Sequence, residues 1–334
     1  MSRPSTSAGP SAPSTRPSSL TSSSTEARIG VVGATGAVGG VTLALLAERG
    51  YENVRAFASS RSAGTRAGDL VVEEATPEAL AAGDLDLCFF SVGTAASREL
   101  VPHALSGGAV CVDKSAAFRL ADGVPLVVPE VNGTRALVHE GIVANPNCST
   151  IPLTCVLKPL QEAAGLVRVR VATYQSMSGA GARKMEALRA ADPAELDLAM
   201  DWSFDGEEFE DESKLRAETR KILELPDLPL SPTCVRVPVL VGHAEAVWIE
   251  TEEPLAAEQA RELLAAAPGV RLEDFPTPAM AAGRDDVLVG RIRRDRAAEN
   301  GLAFFVVCDN LRKGAALNAI QIAELVLAPA RAAA

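Results

Sequence analysis

The apolar positions change rhythm near residue 145, and the two halves of the chain predict different architectures. Before that point, short apolar runs at residues 28–33, 53–58, 85–92, 109–113, 126–128 and 141–144 read as strands. Between them, residues 41–49 and 94–105 carry helical spacing. The run at 85–92 is almost continuously apolar, as a parallel strand buried on both faces requires. Such alternation predicts a doubly wound sheet with its ligands at the carboxyl ends of the strands. Beyond residue 150 the order is mixed. Helices are expected at 154–164, 179–188, 210–223, 256–266 and 313–327, and strands at 167–174, 233–240, 244–251, 287–293 and 302–308. This half reads as α+β, a mostly antiparallel sheet with helices on one face. The fold class is therefore α/β in two domains: a Rossmann-type dinucleotide-binding domain at 26–148, completed by the C-terminal helix at 313–334, and an α+β domain at 149–312.

Composition narrows the picture. A chain of 334 residues is long enough for two hydrophobic cores. Residues 1–25 are dominated by Ser, Thr and Pro and read as a disordered tail; Arg3 and Arg16 without an acidic residue before Glu26 give only a superficial likeness to a transit peptide. A net charge of -11 argues against nucleic acid and anionic membrane as partners, and no apolar run reaches the roughly 18 residues of a span. Cys88, Cys111, Cys148, Cys155, Cys234 and Cys308 show no paired C-x-x-C spacing, so no metal site or disulfide framework is expected, and a reducing, cytoplasmic setting is.

Three stretches carry candidate chemistry. Gly33-Ala-Thr-Gly36-Ala-Val-Gly39 lies between the first strand and the first helix, where glycines let a backbone approach a pyrophosphate resting on a helix N-terminus. The expected contacts are Gly33, Thr35, Gly36, Ala37 and Val38, with Thr94 in a second turn of the same kind. After the second strand, Ser60-Arg61-Ser62 supplies hydroxyls and a guanidinium where an NAD site has a carboxylate, which predicts NADP(H). In Asn145-Pro-Asn-Cys148-Ser-Thr150, a strand-to-helix turn sets a thiol beside a helix start that Ser149 or Thr150 can cap, with Pro152 in the first turn. The helix dipole and unpaired amides there are expected to lower the thiol pKa; spacing alone serves equally a nucleophile or a buried small hydrophobe. Of three histidines, His103 falls in a predicted helix and His139 in a polar connection, whereas His243 sits in a tight connection between strands.

Taken in order, the glycine turn, Pro146-Asn-Cys-Ser-Thr150, Tyr174-Gln-Ser-Met-Ser-Gly-Ala-Gly181, Cys234-Val-Arg-Val-Pro238, Gly242-His243 and Asp309-Asn-Leu-Arg-Lys-Gly314 resemble the aspartate-semialdehyde dehydrogenase family. The resemblance runs from about Arg28 to Leu327. It implies NADPH-dependent reduction of L-aspartyl 4-phosphate to the semialdehyde, with release of phosphate, in lysine, threonine and methionine biosynthesis. By the same resemblance Cys148 is the thioester-forming nucleophile, His243 its acid/base and Gln175 the amide that orients the acyl group. Arg236 grips the substrate carboxylate, and Arg119, Asn147 and Lys214 hold the phosphate. Asp211 meets the substrate amine, with Glu208 and Glu212 as alternatives. Ser178, Gly179 and Asn310 contact the cofactor near its nicotinamide. The second domain is then catalytic and dimerising, and a homodimer or homotetramer is implied.

The sequence departs from the family pattern at Lys114, where Asn is usual, at Pro152, where Gln is usual, and through residues 196–210, which lack the usual Asn-x-x-Pro. Two other functions compete. An N-acetyl-glutamyl-phosphate reductase shares the chemistry but has Gly-Cys-Tyr-Pro-Thr at its cysteine. A catalytically silent nucleotide-binding paralogue has no physical need to keep Cys148, Gln175, Arg236 and His243 together.

Overall fold

The computed structural model describes residues 24–328, so the tail expected at 1–25 lies almost wholly outside the described residues, as does the end of the C-terminal completion. The first domain is built on a seven-stranded sheet. Its strands are β1 (Ile29–Val32), β2 (Val54–Ala58), β3 (Arg66–Ala67), β4 (Leu70–Glu74), β5 (Leu87–Phe90), β6 (Val110–Asp113) and β7 (Ile142–Ala144), in the spatial order β3-β4-β2-β1-β5-β6-β7. Every pair is parallel except the short β3–β4 hairpin. The hairpin was not visible in the apolar pattern, because β3 is a two-residue edge strand and β4 beside it buries only Val72 among exposed and half-buried residues. The strand expected at 126–128 is instead a single bridge, Leu126 to Ala144; Pro129 follows at once and starts a helix. Helices α1 (Ala37–Glu48), α2 (Pro77–Leu80), α3 (Thr94–Ser106) and α4 (Pro129–Asn132) complete this part of the chain.

Helix α5 (Thr150–Ala164) then leads into β8 (Arg168–Gln175), α6 (Ala182–Arg189), α7 (Glu210–Leu223), β9 (Leu230–Arg236) and β10 (His243–Glu250). After them come α8 (Ala257–Ala266), β11 (Val270–Leu272), α9 (Pro278–Ala281), β12 (Val287–Asp295), β13 (Gly301–Cys308) and α10 (Leu317–Leu327). The six strands form one sheet in the order β11-β12-β13-β10-β8-β9. Its three central pairs are antiparallel and its two outer pairs parallel. Alternation along β8 and β10 puts Val169, Val171, Val247 and Ile249 into a core shared with α5, α7 and α8. Tyr174, Ala246 and Trp248 are left on the opposite, partly exposed face. The closing helix starts later than expected: residues 312–316 form a π-helical turn, and only from Leu317 is the helix regular. Helix α10 packs Ala319, Ile320, Ala323 and Leu327 into the core of the first sheet, beside Ile29, Val31 and Val112.

This topology assembles a site from residues far apart in sequence. In the parallel sheet, Val32 aligns with Phe57 and Phe90, Phe90 with Asp113, and Asp113 with Ala144. The residues that follow this row, namely Gly33, Ala58, Ser91, Lys114 and Asn145, therefore share one carboxyl edge. In the second sheet, Gln175 aligns with Arg236, Ala244 with Tyr174, and His243 with Cys308. Gln175, Arg236, His243 and, two residues past β13, Asn310 thus share one edge of that sheet.

Candidate active site

The two edges face each other across a cleft of about 250 Å3 lined by Val38, Thr94, Lys114, Arg119, Asn147, Cys148, Gln175, Ser178, Gly179, Asp211, Lys214, Arg236 and Asn310. Cys148 is the one cysteine of six not fully buried, and its Sγ lies 3.1 Å from His243 Nε2. The imidazole is clamped from behind. Its Nδ1 accepts the Ser176 backbone N–H at 3.0 Å and also lies 3.1 Å from Ser176 Oγ. Asn310 Oδ1 in turn accepts the Gly242 N–H (2.9 Å) and the Ser176 hydroxyl (3.0 Å), tying the residue before the histidine to the serine behind its ring. The Asn310 carboxamide, expected at the nicotinamide, lines the cleft and also donates to Ser178 Oγ at 2.8 Å. Gly179 is packed so closely that a Cβ there would stand 3.0 Å from Arg236 Nη1 and 3.2 Å from His243 Nε2.

The thiol pKa is not lowered as the helix-start argument expects. Burial first, and the Asp211 carboxylate second, push Cys148 up to about 12, against the charges of Arg236, Arg119 and Lys114. In the turn ahead of α5, Ser149 N–H donates to Asn147 Oδ1 at 2.8 Å and Ile151 N–H to Asn147 O at 3.2 Å. The Asn147 side chain thus closes the turn ahead of α5, whereas Ser149 Oγ and Thr150 Oγ1 are buried without a partner among the described residues. Burial, then Arg236, push His243 down to about 3, so the imidazole is neutral in the ligand-free site. Gly314, in the π-helical turn, approaches Cys148 so closely that a Cβ would lie 3.2 Å from its carbonyl oxygen.

Asp211, expected at the substrate amine, is 4% exposed and accepts the side-chain amides of Asn147 (2.8 Å) and Gln175 (2.5 Å). It orients those two groups, one on each oxygen, and also lines the cleft. The three residues expected at the phosphate line the cleft, yet each already has partners. Arg119 donates to Glu218 Oε1 (2.8 Å), Asn145 O (3.0 Å) and Lys114 O (2.6 Å). The Asn147 backbone N–H donates to Glu218 Oε2 at 2.7 Å, and Lys214 pairs with Glu210 at 2.5 Å. Arg236 is held on three sides. Its Nε and Nη2 donate to Asp201 Oδ1 (3.2 and 3.0 Å), its Nη1 donates to Ser176 O (3.0 Å), and the guanidinium stands 4.7 Å over the Trp202 ring.

Glu208 and Glu212, the alternatives to Asp211, are committed elsewhere: Glu208 pairs with Arg216, and Glu212 accepts the backbone N–H groups of Phe209 and Cys234. Sequence reasoning overlooked Glu218, Asp201 and Trp202. A signal for Glu218 existed, since Asp211, Leu215, Glu218 and Ile222 recur at helical spacing on one face of α7, and that face is buried. Lys114 was visible only as a departure from pattern. Burial, then the neighbouring Arg119 charge, push its ammonium down to about 8, opposed by Cys148 and Asp113.

The residues for a dinucleotide also fit. Gly33 has φ +89°, and a side chain there would collide with the Ser91 carbonyl; one on Gly39 would collide with the Gly33 carbonyl, so α1 seats directly on the turn. Gly36 begins α1 with no side-chain cap, which leaves the helix N-terminus beside Thr35, Ala37 and Val38 free for an anion. Ser60, Arg61 and Ser62 follow β2 on the same carboxyl edge, Ser60 and Arg61 exposed and Ser62 half-buried. Among the described residues no cluster of His, Cys, Asp and Glu is arranged for a metal, and no helix is long and apolar enough to cross a membrane.

Two sheets that meet at a thiol–imidazole pair and a glycine-rich turn define a semialdehyde dehydrogenase. Residues 28–138 match the NAD-binding domain of that class and residues 157–313 its dimerisation domain. The aspartate-semialdehyde dehydrogenase of Streptomyces akiyoshiensis is 44% identical, over 90% of this chain and 98% of its own, and that of Aquifex aeolicus 42% identical, over 90% and 98%. A crystal structure of aspartate semialdehyde dehydrogenase II from Vibrio cholerae, complexed with ASA, superposes with a TM-score of 0.85 at 38% identity, over 90% of this chain and 98% of that one. The chain belongs to the aspartate-semialdehyde dehydrogenase family, whose reaction is the reduction of aspartyl phosphate to the semialdehyde. It is an oxidoreductase with a nicotinamide-dinucleotide-binding domain.

Proposed function

We propose that this chain reduces L-aspartyl 4-phosphate through a thioester on Cys148, with NADPH as reductant. The 3.1 Å approach of Cys148 Sγ to His243 Nε2 carries the reading. Ser176 lets the imidazole serve in both directions. With a proton on Nδ1 donated to the Ser176 hydroxyl, Nε2 is free to take the thiol proton; with Nδ1 accepting the Ser176 amide, Nε2–H donates to sulfur or to an oxyanion. Sγ attacks the acyl carbon, the carbon–oxygen bond to phosphate breaks, and the phosphate leaves with that electron pair. Gln175, fixed by Asp211, orients the acyl group, and the Nη1/Nη2 edge of Arg236 receives the substrate carboxylate. When bound, the nicotinamide supplies the hydride that reduces the thioester. Nε2–H protonates the sulfur as the aldehyde forms, restoring the thiol.

The exposed guanidinium of Arg61 between two hydroxyls supports NADP(H) over NAD(H). A relative from Candida albicans, 26% identical with a TM-score of 0.74 over 91% of this chain and 99% of its own, has a crystal structure with NADP. The open face of the second sheet, with Tyr174, Trp248 and Phe305, suits a homodimer interface; sedimentation as a monomer at micromolar concentration would contradict it. The activity is tested by phosphate-dependent reduction of NADP+ and NAD+ with L-aspartate semialdehyde, beside N-acetyl-glutamate semialdehyde. Turnover with the first substrate and NADP+, abolished in Cys148→Ala, is expected. Activity surviving in that variant defeats the thioester, and a preference for NAD+ defeats the assignment of Arg61.

A further inference from the structure

Four cations line the cleft: Lys114, Arg119, Lys214 and Arg236. Three face carboxylates, Arg119 with Glu218 at 2.8 Å, Lys214 with Glu210 at 2.5 Å and Arg236 with Asp201 at 3.0 Å. Lys114 differs. Its ammonium has no hydrogen-bond or ion-pair partner among the described residues. The adjacent Asp113 acts on it only through its charge, with its two oxygens accepting the Ser97 and Ser115 hydroxyls, each at 2.7 Å. The backbone of Lys114 is nevertheless tied down: its N–H donates to Phe90 O (3.1 Å), and its carbonyl accepts Arg119 Nη2 (2.6 Å). The preceding residue fixes its relation to the nucleophile, since Asn145 N–H donates to Asp113 O at 2.8 Å in the strand that leads to Cys148. A partly buried, unpaired ammonium held in the wall of a cleft beside a thiol is costly unless an anion takes that place.

On the reading of this site as an acyl-phosphate reductase, we infer that Lys114 is the principal cation for the phosphoryl group, pairing with the acyl phosphate in the forward direction and with inorganic phosphate in reverse. The geometry follows from the chemistry. The phosphate leaves the carbon that Sγ attacks, so its oxygens depart within a few ångströms of Cys148, where Arg119 and Lys214 are already neutralised by their carboxylates. Lys114 supplies the uncompensated charge, and Arg119 positions it through the lysine carbonyl.

The test is the reverse reaction of the full chain, with inorganic phosphate varied at saturating semialdehyde and NADP+. Lys114→Met is expected to raise the phosphate KM at least tenfold while the semialdehyde KM moves less than twofold, and Lys114→Arg is expected to recover most of the loss. A second readout needs no turnover. Phosphate should slow alkylation of Cys148 by iodoacetamide in the wild type and in Lys114→Arg, but not in Lys114→Met. An unchanged phosphate KM in Lys114→Met, or equal rises for phosphate and semialdehyde, overturns the inference and leaves the proposed function standing. If the wild type is inert with both semialdehydes yet phosphate protection is present and lost in Lys114→Met, the phosphate site survives and the proposed function fails.

Discussion

Asp201 holds Arg236 at its Nε/Nη2 edge: a single carboxylate oxygen accepts both, while Nη1 donates to Ser176 O and the residue lines the cleft. Trp202, next in sequence, stacks on the guanidinium at 4.7 Å. The segment that departs from the family pattern therefore aims Arg236, the arginine proposed to receive the substrate carboxylate. Asp201→Asn is expected to raise the semialdehyde KM about tenfold with kcat nearly unchanged, because the arginine loses its fixed orientation while the thiol keeps its own. A loss confined to kcat, measured in the phosphate-dependent oxidation, would remove Asp201 from this role.

Asp211 has opposed effects on the two halves of the chemistry. It orients Asn147 and Gln175, yet, after burial, its charge is the largest influence holding the thiol pKa up. Asp211→Asn should therefore lower the thiol pKa while slowing turnover by on the order of 10²-fold, since an amide facing two amides cannot accept from both. The pH profile of Cys148 alkylation checks the first part and steady-state kcat the second. A thiol pKa unchanged or raised in the variant contradicts the electrostatic argument.

What the sequence disclosed and what it hid divide along physical lines. Parallel strands buried on both faces announced the first sheet, and the glycines of Gly33 to Gly39 announced its turn, because those positions tolerate little else. The thiol and its histidine were legible once their motifs were read in order, although 95 residues separate them. The acidity of the thiol was not legible. It depends on how deeply the turn is buried and on the Asp211 carboxylate brought to it by α7, and both are tertiary facts. Nor was the pairing of Arg119, Asn147 and Lys214, because Glu218 and Glu210 look like solvent-facing charges on a helix until α7 is docked.

Gly179 has no positive φ, so an alanine there leaves the backbone unstrained. Its Cβ would nevertheless stand 3.0 Å from Arg236 Nη1 and 3.2 Å from His243 Nε2, groups fixed by Ser176 and Asp201. Gly179→Ala is expected to reduce kcat/KM by about 10²-fold while shifting Tm by no more than a few degrees, since an ångström of displacement at reacting groups costs that much. Full activity would mean that both side chains yield freely, against the rigidity inferred for the site.

Glu245 lies two residues from His243 on β10, 1% exposed, and neither carboxylate oxygen has a partner among the described residues. Burial raises its pKa well above the ordinary carboxylate value, and the thiols of Cys155, Cys234 and Cys308 are within its electrostatic reach, none of them able to neutralise it. The folded chain thus keeps a proton that the unfolded chain releases above about pH 4.5, so the folded state binds more protons and stability falls as pH rises from there toward the folded pKa, by up to about 1.4 kcal/mol per pH unit. Glu245→Gln replaces the carboxyl with a neutral group of the same shape and abolishes that slope. The Tm of the variant relative to wild type should therefore be higher at pH 8 than at pH 5 by a few degrees. A difference that is flat or reversed between the two pH values would mean that Glu245 is ionised in the folded protein.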